Sequence, residues 1–66
     1  MTKLKRYLKE HGIQQNEFAE KLGYTEAGIS YIVNGKRQGG IALWFAMAEV
    51  LQCDVKDIYG KEKDNG

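Results

Sequence analysis

The polar side chains best placed to recognise another molecule gather between residues 15 and 38. Ala27, Ser30, Tyr31 and Asn34 share one arc of a helical repeat, opposite Ile29, Ile32 and Val33 at 100° per residue, and Glu26 and Ala27 stand at its N-terminal end. A carboxylate accepts from an amino group such as that of cytosine, and a hydroxyl bonds several base edges. An Ala methyl or a Tyr ring packs on a thymine methyl. No Arg, Lys or Gln lies on this arc, so the strong bidentate contacts to guanine or adenine are missing from it. Asn34, Lys36 and Arg37 follow at once, an amide and two cations of the kind that meets phosphate oxygens. Arg37 and Gln38, in a loop, have the reach to touch a base edge as well. Gln15 opens an earlier helical segment, where backbone N–H groups and the helix dipole receive an anion. Lys3 and Arg6 are further candidates for the same anion at the flank.

Catalytic and metal chemistry find less support. His11 and Cys53 are the only residues of their types, and one of each makes neither a zinc site nor a nucleophile–base pair. The expectation is no enzyme, no cofactor and no metal, with His11 a helix-end residue and Cys53 a small apolar filler.

The elements that must position these side chains are legible as apolar stripes. Leu4, Tyr7, Leu8 and His11 mark a helix from about Thr2 to His11, capped by Thr2 and ended by Gly12. Phe18, Ala19 and Leu22 mark a second from about Gln15 to Leu22, although Gln14 is a poor N-cap. Ile29, Ile32 and Val33 mark a third from about Glu26 to Val33. Between the last two, Gly23 can supply a left-handed C-cap and Thr25 an N-cap oxygen. Two helices on a tight turn are a helix-turn-helix, whose second helix can lie in the major groove of DNA.

Asn34-Gly35 is a stop signal, since both residues tolerate positive φ. Residues 36–40, KRQGG, read as a flexible loop. A fourth helix is expected from about Ile41 to Gln52, with Ile41, Trp44, Met47, Ala48 and Leu51 facing inward. Its second stripe, Leu43, Ala46 and Val50, predicts a dimer or partner face, which Ile58 and Tyr59 can join. The competing reading is that the small core wraps further round this helix. A short fifth helix has Asp54 as N-cap and Asp57 three residues on. Gly28, inside the third helix, costs about 1 kcal/mol relative to Ala and predicts a close approach to another helix.

The run Gln15, Phe18-Ala19, Lys21-Leu22-Gly23, Ile29-Ser30, Asn34-Gly35-Lys36 resembles the phage Cro/C1 repressor-type helix-turn-helix family, also called the XRE family. The resemblance covers roughly residues 3 to 59. It implies an all-α, five-helix, lambda-repressor-like DNA-binding domain with the helix-turn-helix at helices 2 and 3. It matches Glu26, Ala27, Ser30 and Tyr31 to the family's base-reading positions. It assigns Gln15 to the phosphate backbone and matches Asn34 and the loop after it, with Lys36 and Arg37, to the family's backbone clamp. Gln14 stands where a Ser or Thr cap is usual.

Length and charge bound the rest. Sixty-six residues make one domain at most, with a marginal core and no disulfide. Residues 1–59 are expected to form the DNA-binding domain and 60–66, without an apolar side chain, a disordered tail. Net charge is only +1, yet residues 1–37 carry seven Lys/Arg against four Asp/Glu and residues 38–66 three against five. A basic front and an acidic back orient a protein on a polyanion. The sequence has one cysteine, no signal-peptide pattern and no apolar run of membrane length, which predicts a cytoplasmic protein, and the family resemblance implies one of prokaryotic or phage origin associated with the nucleoid. The expected partner is double-stranded DNA, bound by a homodimer that forms from these same helices or only on DNA. The alternative is a protein-interaction module on the same fold, binding a repressor or toxin partner through helix 4.

Overall fold

The computed structural model describes residues 2–60. Among them the fold is all-α, with five helices in chain order: α1 (Lys3–Glu10), α2 (Gln15–Leu22), α3 (Glu26–Val33), α4 (Ile41–Leu51) and α5 (Val55–Ile58). The expected segments are all there, with α1 and α4 trimmed at their ends to caps. Of the tail expected over 60–66, residues 61–66 lie outside the described residues. Gly60 lies within them, and its carbonyl accepts the Lys3 N–H at 3.1 Å.

Local chemistry accounts for the helix ends. The Thr2 hydroxyl accepts the Lys5 N–H at 3.1 Å, and Thr25 does the same for Gly28 N–H at 3.1 Å. Asp54 and Asp57 form a reciprocal capping box at α5. Gln14 adopts extended N-cap geometry but gives no side-chain bond to α2. The four longer helices close alike, each on one left-handed residue. At α2 this is Gly23, φ 74°; the Tyr24 N–H then reaches the Ala19 carbonyl at 2.9 Å. At α3 Gly35 takes that conformation, φ 76°, while Asn34 stays at φ −87°, so only one of the two expected residues uses its tolerance. At α4 the position falls to Gln52, φ 55°.

The core is built from one stripe of each helix: Leu4 and Leu8, Phe18 and Ala19, Ile29, Ile32 and Val33, Trp44, Met47 and Ala48, and Ile58. α2 packs on α3 and α4, while α5 closes against α1 and α4. The Thr2 hydroxyl also donates to the Val33 carbonyl, which ties the start of α1 to the end of α3. Through these contacts α3 is held along its inner side and its outer side is left open.

The sequence reading of α4 needs correcting. Ile41 was expected inside and is 63% exposed, because it opens the helix beyond the packed layer. Leu43 and Val50, expected on a partner stripe, are half-buried and pack against the core. The buried arc is centred on Trp44, Met47 and Ala48, and at 100° per residue Leu43 and Val50 fall on its flank. Ile58 is wholly buried and presents nothing to a partner. The apolar face that α4 does expose carries Ile41, Ala42, Phe45 and Ala46, with Phe45 60% exposed.

Gly28 does not have the cause expected of it either. A Cβ there would meet no other helix; it would stand 3.1 Å from the Thr25 hydroxyl oxygen. That contact does not demand a glycine, since Lys5 takes the same place beside the Thr2 hydroxyl in α1, and nothing in the structure explains Gly28.

Candidate nucleic-acid interface

The outer face of α3 is built from its first turn onward. Thr25 caps the helix, and Glu26 and Ala27 stand exposed in the first turn. One turn on, Ser30 is half-buried and Tyr31 projects, 53% exposed. Asn34 closes the helix with its side chain folded back. Its Nδ2 donates to the Ser30 carbonyl at 2.9 Å and to the Ser30 Oγ at 3.2 Å. The Ser30 hydroxyl, accepting from Asn34, keeps its own proton for an outside acceptor.

The loop after α3 does not swing freely from its end. The N–H groups of Lys36 and Arg37 both donate to the Tyr31 carbonyl, at 2.8 and 3.2 Å. Their side chains are exposed. The segment expected to be flexible is also fixed at Gln38, whose carbonyl accepts the Trp44 indole N–H at 2.9 Å. The Gln38 side chain donates to the Tyr59 hydroxyl at 3.3 Å.

At the other end of α3, Gln15 and Glu26 line one shallow cleft together with Lys5, Lys9, Gln14 and Asn16. Here the first turn of α2 and the first turn of α3 meet the flank of α1. Free N–H groups at the start of a helix favour an anion, and the two ammonium groups beside them add to the field, opposed in part by the Glu26 carboxylate, so the lining carries one net positive charge. Lys5 and Lys9 were missed as candidates in the sequence. Their i, i+4 spacing off the Leu4–Leu8 stripe was a visible signal of a shared flank, but it did not say which flank faced α3. Lys3 and Arg6 occupy the other flank. They line a separate depression with Tyr7, Glu10, Lys56 and Asp57. Arg6 pairs with Glu10 at 3.1 Å, and Lys3 Nζ donates to the Lys56 carbonyl at 3.4 Å.

The remaining reactive groups sit away from this face. His11 caps the end of α1 and stacks on Tyr7, ring centroids 4.1 Å apart. Burial, chiefly, pushes the Cys53 thiol above its ordinary value; the Tyr7 hydrogen bond opposes this and Asp57 and Asp54 reinforce it. Tyr7 is likewise raised, first by desolvation and then by Cys53 and Asp57. A thiol held in its neutral form is a poor nucleophile, in keeping with a packing role. No helix among the described residues is long and apolar enough to cross a membrane.

The exposed face of α3 thus has a cleft with two lysines at its first turn and two exposed cations beyond its last. Comparison with known proteins points the same way. A helix-turn-helix family model matches residues 4–58. A protein of Methanocaldococcus jannaschii described as an uncharacterized HTH-type transcriptional regulator is 34% identical over 63 residues, covering 96% of each chain. No solved structure matches. The chain belongs to the Cro/C1 repressor-type helix-turn-helix family of DNA-binding transcription regulators.

Proposed function

We propose that this protein is a sequence-specific regulator that reads an operator by laying α3 in the major groove of duplex DNA. The observation that carries the reading is the composition and exposure of the α3 outer face between two phosphate-favouring ends. Glu26, Ala27, Ser30 and Tyr31 read base edges: the carboxylate accepts from a cytosine amino group, the Ser30 proton meets an acceptor, and Ala27 and the Tyr31 ring pack on thymine methyls. Gln15, Lys36 and Arg37 fix the register on the phosphate backbone; Asn34, expected to join them, has its amide protons engaged by Ser30 and instead holds the end of α3 that carries them. Lys5 and Lys9 join them from α1, and their cleft with Gln15 supports that assignment. Lys3 and Arg6 face α5 and contribute only to the long-range field.

Without a bidentate donor on α3, one copy discriminates weakly, and specificity is gained by binding two half-sites. The dimer face is the exposed part of α4, with Ile41 and Phe45 at its centre and Ala42 and Ala46 letting a second helix approach. Two large apolar side chains more than half exposed on adjacent turns support this assignment. A two-fold contact there sets two copies of α3 about one helical turn of DNA apart, roughly 34 Å.

The test is selection of bound fragments from a genomic library, followed by a mobility shift on the DNA flanking the protein's own gene. Enrichment of one pseudo-palindromic sequence is expected. Equal retention of all fragments would overturn sequence-specific reading, and no retention at low salt would overturn DNA binding.

A further inference from the structure

Tyr59 lies outside the helix-turn-helix, directly after α5, yet it reaches the loop that carries Lys36 and Arg37. Gln38 of that loop is held at two points. Its carbonyl accepts from the Trp44 indole N–H at 2.9 Å, and its side-chain amide donates to the Tyr59 hydroxyl at 3.3 Å. The two aromatic rings brace one another edge to face, with centroids 5.1 Å apart and an interplanar angle of 84°. Trp44 is 6% exposed on α4, so it provides a rigid anchor. Tyr59 is fixed from both sides along the chain: Ile58 before it is fully buried, and the Gly60 carbonyl after it accepts the Lys3 N–H. Gly39, φ 72°, completes the joint. A Cβ there would stand 3.4–3.5 Å from Leu43, Ile32 and the Trp44 indole nitrogen, so the backbone lies close against the aromatic anchor.

We infer that Tyr59, with Trp44, is a positioning residue that holds the Gln38 segment and thereby orients Lys36 and Arg37 toward the DNA backbone. The inference rests on the DNA reading above and adds a regulatory consequence to it. The hold on the loop comes from the C-terminal segment after α5, so anything that pulls Tyr59 away from Trp44 loosens the clamp without touching α3.

The test uses Tyr59→Phe, which keeps the ring against Trp44 and removes only the hydroxyl, with Tyr59→Ala as the stronger variant. Two readouts are taken on the full chain. The first needs no DNA: hydrogen exchange of the indole N–H of Trp44, the one tryptophan of the sequence, which reports directly on the bond to the Gln38 carbonyl. The second is binding to a fluorescent duplex, in the parent and in a Lys36→Ala/Arg37→Ala background.

Tyr59→Phe is expected to speed indole exchange and to weaken duplex binding by at most about fivefold, the factor that one net hydrogen bond corresponds to. In the Lys36→Ala/Arg37→Ala background it is expected to have no further effect on binding, because the groups it orients are gone. The same loss in both backgrounds would overturn the positioning role and leave Tyr59 a merely structural residue. Indole exchange unchanged in both Tyr59 variants would overturn it too. If the Lys36→Ala/Arg37→Ala protein binds as tightly as the parent, the fault lies in the DNA reading of the loop, and the inference falls with it.

Discussion

Removing the two loop cations should change how binding depends on salt, and the size of the change follows from the arrangement of the charges. Among the described residues four cations flank the α3 face: Lys5 and Lys9 on the α1 side, Lys36 and Arg37 beyond Asn34. If each neutralises one phosphate, the slope of log K against log salt is about −3.6 per copy, at roughly −0.9 per phosphate. Affinity then falls by about 150-fold between 50 and 200 mM salt. Lys36→Ala with Arg37→Ala leaves two such contacts, a slope of about −1.8 and a fall of about twelvefold over the same range. Lys3→Ala with Arg6→Ala removes the same formal charge from the α5 side and should leave the slope within error of the parent. The assay is fluorescence anisotropy on a short random-sequence duplex at four salt concentrations, with circular dichroism to confirm the fold. An unchanged slope in the Lys36/Arg37 pair, or an equal drop in the Lys3/Arg6 pair, would refute the assignment of the two flanks.

Three further outcomes follow from particular contacts. Gln14→Ser should stabilise the fold by about 1 kcal/mol, since the N-cap of α2 already has extended geometry but lacks a side-chain bond; a melting temperature raised by about 4–8 °C would show it. Phe45→Glu should abolish self-association and cooperative DNA binding with little change in melting, whereas Leu43→Glu should unfold the protein because Leu43 packs on the core; sedimentation and thermal melts separate the two. Cys53 and Tyr7 bind their protons more tightly in the folded state than their ordinary values of 9.0 and 10.0 allow. Stability that is complete below pH 9 should therefore decline as pH rises through the thiol and phenol titrations. Cys53→Ser denaturation curves at pH 8 and 10.5 should show a smaller decline than the parent.

The parts of the fold legible in the sequence were those fixed by neighbours along the chain. Thr2, Thr25 and Asp54 announced helix starts, Gly23 and Gly35 helix ends, and the Ile29–Ile32–Val33 stripe an inward face, because each acts within one or two turns. The roll of α4 was not legible. Ten of its eleven residues are apolar, so no polar arc marked the outside, and the packing of α2 and α5 decided that Leu43 turns in and Ile41 out. The two flanks of α1 were equally ambiguous, since Lys3, Lys5, Arg6 and Lys9 all lie off the apolar stripe. Only the placement of α5 beside Lys3 and Arg6 separates them from Lys5 and Lys9. The Tyr59–Gln38 contact joins residues 21 apart in the chain and has no local pattern to reveal it.

The claim that α3 reads base edges is tested most directly by Tyr31→Ala and Ser30→Ala, each titrated against the enriched operator and against random duplex, with Lys36→Ala as the control. The account predicts that Tyr31→Ala or Ser30→Ala loses about 1–3 kcal/mol on the operator and little on random DNA, while Lys36→Ala weakens both alike. Equal losses on operator and random DNA for Tyr31→Ala and Ser30→Ala would contradict it, and would make the outer face of α3 a backbone contact.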